Sequence, residues 1–236
     1  MNRPAAAFNL ALLLISIAGA QAGAAAPAPA APRYVPEDNR PPLAFREDFS
    51  NEPNETPVTM ASITNKALGF SLYGPGANGV AKTFHASPKD ETGFIWSGAC
   101  TQLCGFGLHM NNAYLDMREL SKVTWHTKQT GFHQLRLMIK LAGGRLLVGD
   151  KVVGASTDWQ VTDVVIQDVH WRDVDTKTMN DSSINGNAAA WAENVDLSKV
   201  EEVGWTDLQA GSGHGTTGGS SRVNWIEVYA RTVPRN

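Results

Sequence analysis

From about residue 43 onward, apolar and polar positions alternate with a period of two, in short runs separated by Gly, Pro, Asn and Asp. That period puts successive side chains on opposite faces of an extended strand, and the separating residues are those that turns require. Such runs cover 44–49, 69–73, 80–84, 93–97, 105–110, 159–166, 169–171, 200–208 and 222–231. Helical periodicity is almost absent; only 116–120 reads as a single helical turn. Closely spaced strands without helices predict an all-β fold, an antiparallel β-sandwich or jelly roll of about nine to eleven strands.

The densest pattern lies in 122–150. Val123, Trp125 and Thr127 fall on one face, and Thr124, His126 and Lys128 on the other. Leu135, Leu137, Ile139 and Leu141 alternate in the same way with Gln134, Arg136, Met138 and Lys140. With Thr130-Gly131-Phe132 as a three-residue loop and Gly131 at positive φ, residue 129 pairs with 133, and 127, 125 and 123 face 135, 137 and 139. A further turn at Gly143-Gly144 makes two consecutive hairpins. Both apolar rows then share one side, a match that a one-residue slip would destroy. The opposite side gathers His126, Lys128, Gln134, Arg136 and Lys140, with Asp150 close to Arg136. A solvated face accounts for this, since antiparallel sheets commonly leave one side wet. Like charges crowded on adjacent strands equally suit an anionic or hydroxylated ligand lying among them.

Ahead of the strands, Arg3 precedes an apolar run over 10–20, and Ala20-Gln21-Ala22 has a small-x-small cleavage pattern. Residues 1–22 read as a secretory signal peptide, its apolar run too short to span a bilayer. Residues 23–42 are an Ala/Pro-rich disordered tether, which leaves 43–236 as one jelly-roll domain. The expected location is periplasmic or extracellular. Cleavage removes Arg3 and no acid, taking the formal charge from −3 to −4. Mild acidity argues against nucleic acid or an anionic membrane as the main partner. Cys100 and Cys104 are the two cysteines. In an oxidising compartment they read as a disulfide closing a small loop. A metal pair would want more ligands than nearby His109 supplies, and the spacing departs from the CxxC of redox centres.

The order of these elements resembles a known fold. A polar-faced strand and hairpin lead to Thr157-Asp158-Trp159-Gln160-Val161 and then Val164-Val165-Ile166-Gln167-Asp168-Val169. Val195-Asp196-Leu197-Ser198-Lys199-Val200 follows, and Val223-Asn224-Trp225-Ile226-Glu227-Val228-Tyr229 closes the chain. Together they are similar to the galactose-binding-like jelly roll of complex I intermediate-associated proteins and some carbohydrate-binding modules. The resemblance covers about 43–231 and implies that the closing strand pairs with the first. It departs at Asn224 and Glu227, which stand where that pattern carries acids, and at the cysteine loop. Likeness of fold implies a broad ligand class and no substrate.

Sugar rings stack on Trp and Tyr faces, and the chain has seven Trp. Alternation puts Trp125 and Trp159 in the core; Trp96, Trp171, Trp191 and Trp205 are not so easily placed. The Gly-rich segment 209–221 carries His214, either as an exposed hairpin connection or as a flap that brings His214 and Asp207 over the cationic face. No phosphate loop, nucleophile elbow, metalloprotease helix or dinucleotide fingerprint is present. Calcium would need Glu47, Asp48 and Glu227 to converge between first and last strands, without a dense oxygen-ligand loop. Three functions follow. The first is a secreted saccharide-recognising protein for an acidic or polyhydroxylated ligand, with Trp96, Lys128, Gln134, Arg136 and Asp150 as binding residues and no cofactor. The second is a small carbohydrate-active enzyme, a glycoside hydrolase or lyase with His126 or His214 as base, Asp207 as a further catalytic candidate beside His214, and Lys128 and Arg136 steadying an anion. The third, which only the resemblance to complex I intermediate-associated proteins implies, is an envelope assembly factor.

Overall fold

Fourteen strands follow the alternation read from the sequence: β1 (Leu43–Glu47), β2 (Leu68–Tyr73), β3 (Ala81–Phe84), β4 (Gly93–Trp96), β5 (Cys104–Met110), β6 (Ala113–Asp116), β7 (Lys122–Thr130), β8 (Leu135–Leu141), β9 (Leu146–Val153), β10 (Gln160–Val165), β11 (Trp171–Val174), β12 (Val200–Asp207), β13 (Ser220–Tyr229) and β14 (Arg231–Pro234). The computed structural model describes residues 39–87, 92–181, 190–208 and 219–235, and these counts concern those residues. The number exceeds the nine to eleven expected, in part because the short strands β6 and β14 pair with each other along one edge.

All pairings are antiparallel and build two sheets. The first runs β10-β7-β13-β4-β3, with β1 also on β13. β13 is long enough to take two strands end to end on one side: β4 at Arg222 and Val223, β1 from Ile226 to Tyr229. The second sheet runs β11-β9-β8-β12-β5-β2. The fold is thus an all-β antiparallel sandwich, with first and closing strands paired.

Between the sheets lies a single apolar layer. Trp125, Val123, Ile95, Val223, Ile226 and Val228 come from one side, and Leu135, Leu137, Ile139, Phe106, Leu108, Val203 and Trp205 from the other. Phe106 anchors it, touching Phe49 edge-on at 5.9 Å, Phe70 stacked at 5.8 Å and Trp205 at 6.2 Å. A second apolar group on the outer side of the second sheet, Tyr73, Met138, Leu146, Val148, Val174 and Met179, covers β8 and β9 from outside.

Three expectations are corrected. The hairpin between β7 and β8 does not form: β7 pairs with β10 and β13, β8 with β9 and β12, and the two lie in different sheets. Residues 131–134 cross from one sheet to the other, with Gly131 at φ 67°. The apolar rows of β7 and β8 therefore meet across the core instead of sitting side by side, and their polar rows point to opposite outsides of the sandwich. The β8–β9 hairpin does form, with Gly144 at φ 86°. The helical turn over 116–120 is absent: β6 runs through Asp116, whose carboxylate accepts from the Arg118 amide, and Glu119 sits at φ 58°. The calcium ligands do not converge either. Glu47 points inward and accepts from the Phe49, Thr64 and Asn65 amides, whereas Glu227 points outward to Arg46 and Tyr229.

Candidate functional site

The outer side of the first sheet carries a group of aromatic residues that the core does not use. Along β7 the outward positions are Lys122, Thr124, His126 and Lys128; along β13 they are Arg222, Trp225, Glu227 and Tyr229. Period-two alternation would not deliver Trp225 outward together with Arg222. A bulge between Val223 and Trp225 does so: it inserts one residue, Asn224, and restores the inward set at Ile226 and Val228. Trp225 thereby comes opposite His126, and Arg222 opposite both Lys128 and Trp96.

These side chains make a ribbon of rings. Trp96 meets Phe94 at 6.3 Å, Phe94 meets Trp159 at 5.7 Å, Trp159 meets His126 at 5.1 Å, and His126 stacks on Trp225 at 5.6 Å. Trp159 enters from the residue before β10 and lies across the face, so it can touch both His126 and Phe94. Trp96, Trp159, Trp225 and His126 are each partly exposed. A guanidinium caps each end: Arg46 lies 4.5 Å from the Trp225 ring, and Arg222 lies 5.8 Å from Phe94 and 5.9 Å from Trp96. Beside Trp225 opens a depression of about 290 Å³ lined by Arg46, Asp48, Ser50, Thr92, His126, Asn224 and Trp225.

Hydrogen bonding fixes the imidazole in that depression. Asn224 Nδ2 donates to the Gly93 carbonyl, so its Oδ1 accepts, and His126 Nδ1–H donates to it at 2.9 Å. Nε2 is left as the acceptor, suited to a ligand hydroxyl. Arg46 pairs with Glu227 at 2.5 Å, and Lys122 pairs with Asp163 at 3.0 Å.

The structure divides the residues singled out from the sequence. His126, Lys128 and Trp96 share the outer face of the first sheet. Gln134, Arg136 and Asp150 lie on the other side of the molecule. There Arg136 reaches the Gly149 carbonyl and Gln134, each at 3.5 Å, and Asp150 binds His170. Burial lowers the Arg136 guanidinium's hold on its proton; Asp181 opposes this, Arg172 adds to it, and Asp150 opposes it again. Asp207 is inside, between the sheets: His133 Nδ1 and Ser97 Oγ meet its Oδ2 at 2.5 and 3.1 Å. It thus does not face His126, and His214 lies outside the described residues. Cys100, in the turn after β4, is disulfide-bonded to Cys104, the first residue of β5. Trp225, Arg222, Arg46, Phe94 and Asn224 were not anticipated as site residues, and Trp159, expected in the core, is on the face.

No protein-family model matches the chain. No curated protein sequence matches it either. Among solved structures it is similar to a family 11 carbohydrate-binding module from Clostridium thermocellum in complex with a beta-1,3-1,4-mixed-linked tetrasaccharide, at 14% identity over 70% of this chain and 90% of that one, with a TM-score of 0.41. It is also similar to the family 11 module of a cellulosomal cellulase of the same organism, at 11% identity over 81% and 95% of the two chains and a TM-score of 0.40. An exo-beta-agarase matches at 8% identity, with 73% of this chain against 24% of that one and a TM-score of 0.36. Among the described residues, no helix is long and apolar enough to cross a membrane.

Proposed function

We propose that the protein is an exported saccharide-binding protein whose ligand lies along the outer face of the first sheet. The observation that carries this reading is the ribbon Trp96–Phe94–Trp159–His126–Trp225 beside the depression at Asn224. Partly exposed aromatic rings have an apolar face for sugar C–H groups and wet edges. Arg46, Asp48, His126 Nε2 and Ser50 supply hydroxyl donors and acceptors within one depression, the mix that orients a polyhydroxylated molecule. Export, expected from residues 1–22, agrees with the disulfide and with a ligand met outside the cytoplasm.

The test is a binding titration against a panel of polysaccharides, read by tryptophan fluorescence. Trp159→Ala and Trp225→Ala should each weaken binding at least about tenfold, or 1.4 kcal/mol, while the far-ultraviolet spectrum stays unchanged. Folded variants that bind as well as the parent would move the site elsewhere.

A further inference from the structure

The constellation at the Trp225 end of the ribbon has a counterpart on the other outside of the sandwich. There Arg172 of β11 pairs directly with Val148 of β9, which belongs to the outer apolar group of the second sheet, so Arg172 points outward. His170, two residues earlier, lies on the same side with Asp150. The Arg172 guanidinium lies 4.5 Å from the ring of Trp191, and His170 meets the same ring at 5.4 Å. Trp225 has Arg46 at 4.5 Å and His126 at 5.6 Å. His126 is oriented by the Asn224 side chain. His170 is oriented by Asp150: one carboxylate oxygen accepts from its amide at 3.0 Å, the other from Nδ1–H at 3.1 Å. In both rings Nε2 is left for a partner outside. Arg172 is anchored in turn by Asp181 at 3.6 Å. Trp191 is 42% exposed and the His170 side chain 68%.

We propose that Trp191, His170 and Arg172 form a second saccharide-binding site, so that one molecule holds two polysaccharide segments, one on each outside of the sandwich. The inference rests on the saccharide reading of the first sheet's outer face, because it is that chemistry which recurs here. An exposed indole alone calls for no explanation. One held by an imidazole and a guanidinium, each tied to a carboxylate, has its orientation set before any ligand arrives, and this lowers the entropy cost of binding. The indole offers its exposed surface to sugar C–H groups, and His170 and Arg172 supply hydrogen-bonding groups beside it. Two faces on opposite sides of a sandwich engage separate chains or distant stretches of one chain. The protein thereby ties polysaccharide into a network, and its hold on a long polymer gains from the second contact without any stronger single site.

Four soluble polymers serve as probes: hydroxyethylcellulose, galactomannan, arabinoxylan and polygalacturonate. Migration in native gels containing each polymer reads binding, and light scattering of protein mixed with a retarding polymer reads bridging. The parent should raise scattering to a maximum that falls again when protein is in excess, as a two-site linker does. Trp191→Ala and His170→Ala should still be retarded, at least about tenfold less strongly, and should raise no scattering. Trp225→Ala should keep residual retardation, and only the Trp191→Ala/Trp225→Ala double variant should migrate as in a polymer-free gel. A parent that is retarded without scattering, a folded Trp191→Ala protein that scatters like the parent, or a Trp225→Ala protein with no retardation would each overturn the second site and leave binding at the first face standing. Failure of these four polymers and of the wider panel to bind the parent would overturn the saccharide reading itself.

Discussion

His126 is sandwiched between Trp159 and Trp225 on the outside of the sheet, while its sequence neighbour Trp125 is fully buried in the core. Trp125→Ala should therefore destabilise by about 3–5 kcal/mol as a core truncation. His126→Ala should cost far less stability and chiefly weaken ligand binding; chemical denaturation of the two variants compares them, and equal losses would contradict the face assignment. Asp163, outward on β10, gives a pH signature. Its carboxyl is held below the usual range chiefly by the hydrogen bond from Thr124 Oγ1, with burial opposing and Lys122 reinforcing. The unfolded chain then takes up the proton first. Stability from this contact is complete above the ordinary value of 3.8 and is lost as pH falls through the lowered one. Asp163→Asn should flatten the fall of Tm below about pH 4, and an unchanged slope would show that the contact does not form. At this scale, alternation read Trp125 correctly and Trp159 wrongly, because Trp159 precedes its strand and lies outside the pattern. The Trp225 position was legible in principle: Val223, Ile226 and Val228 are spaced three and then two, and such a skip marks a bulge.

The link from β7 to β8 is where sequence reasoning about elements stopped short. Alternation separates inward from outward residues but does not say which sheet a strand joins. Five residues between the inward positions 129 and 135 can close a hairpin or cross the roughly 10 Å between packed sheets. Crossing wins here because it puts Trp125 and Leu137 on opposite walls of the same core. The crossing is clasped by Asp207 of β12, which reaches His133 in the link and Ser97 beyond β4. Asp207→Ala leaves buried His133 and Ser97 each short of a partner, so it should cost on the order of 3 kcal/mol, measured by urea unfolding; a loss within 0.5 kcal/mol, the ordinary scatter of surface changes, would show the clasp to be incidental. The cysteine loop is a second clasp. By chain entropy, a loop of five residues contributes about 2 kcal/mol. Reductant should accordingly lower Tm, and thiols should become titratable in the denatured protein only after reduction.

For the whole molecule, the two-sheet sandwich was legible because an apolar row on every long strand demands a partner face, and only two stacked sheets supply enough of it. The candidate site was legible in pieces: His126, Lys128 and Trp96 belong together, but Arg136 went with them only through the wrong strand pairing. The placement of β13 has a consequence for how the chain comes into being. The central strand of the first sheet begins at Ser220, and its partners β1, β4 and β7 are all made long before it. A ribosome-bound chain that stops short of residue 220 has those strands but no ladder to join them, and the pairing of β1 with β13 spans nearly the whole domain. Such distant pairings form slowly. The first sheet thus cannot close until synthesis is almost finished, when β13 at last brings β1, β4 and β7 together.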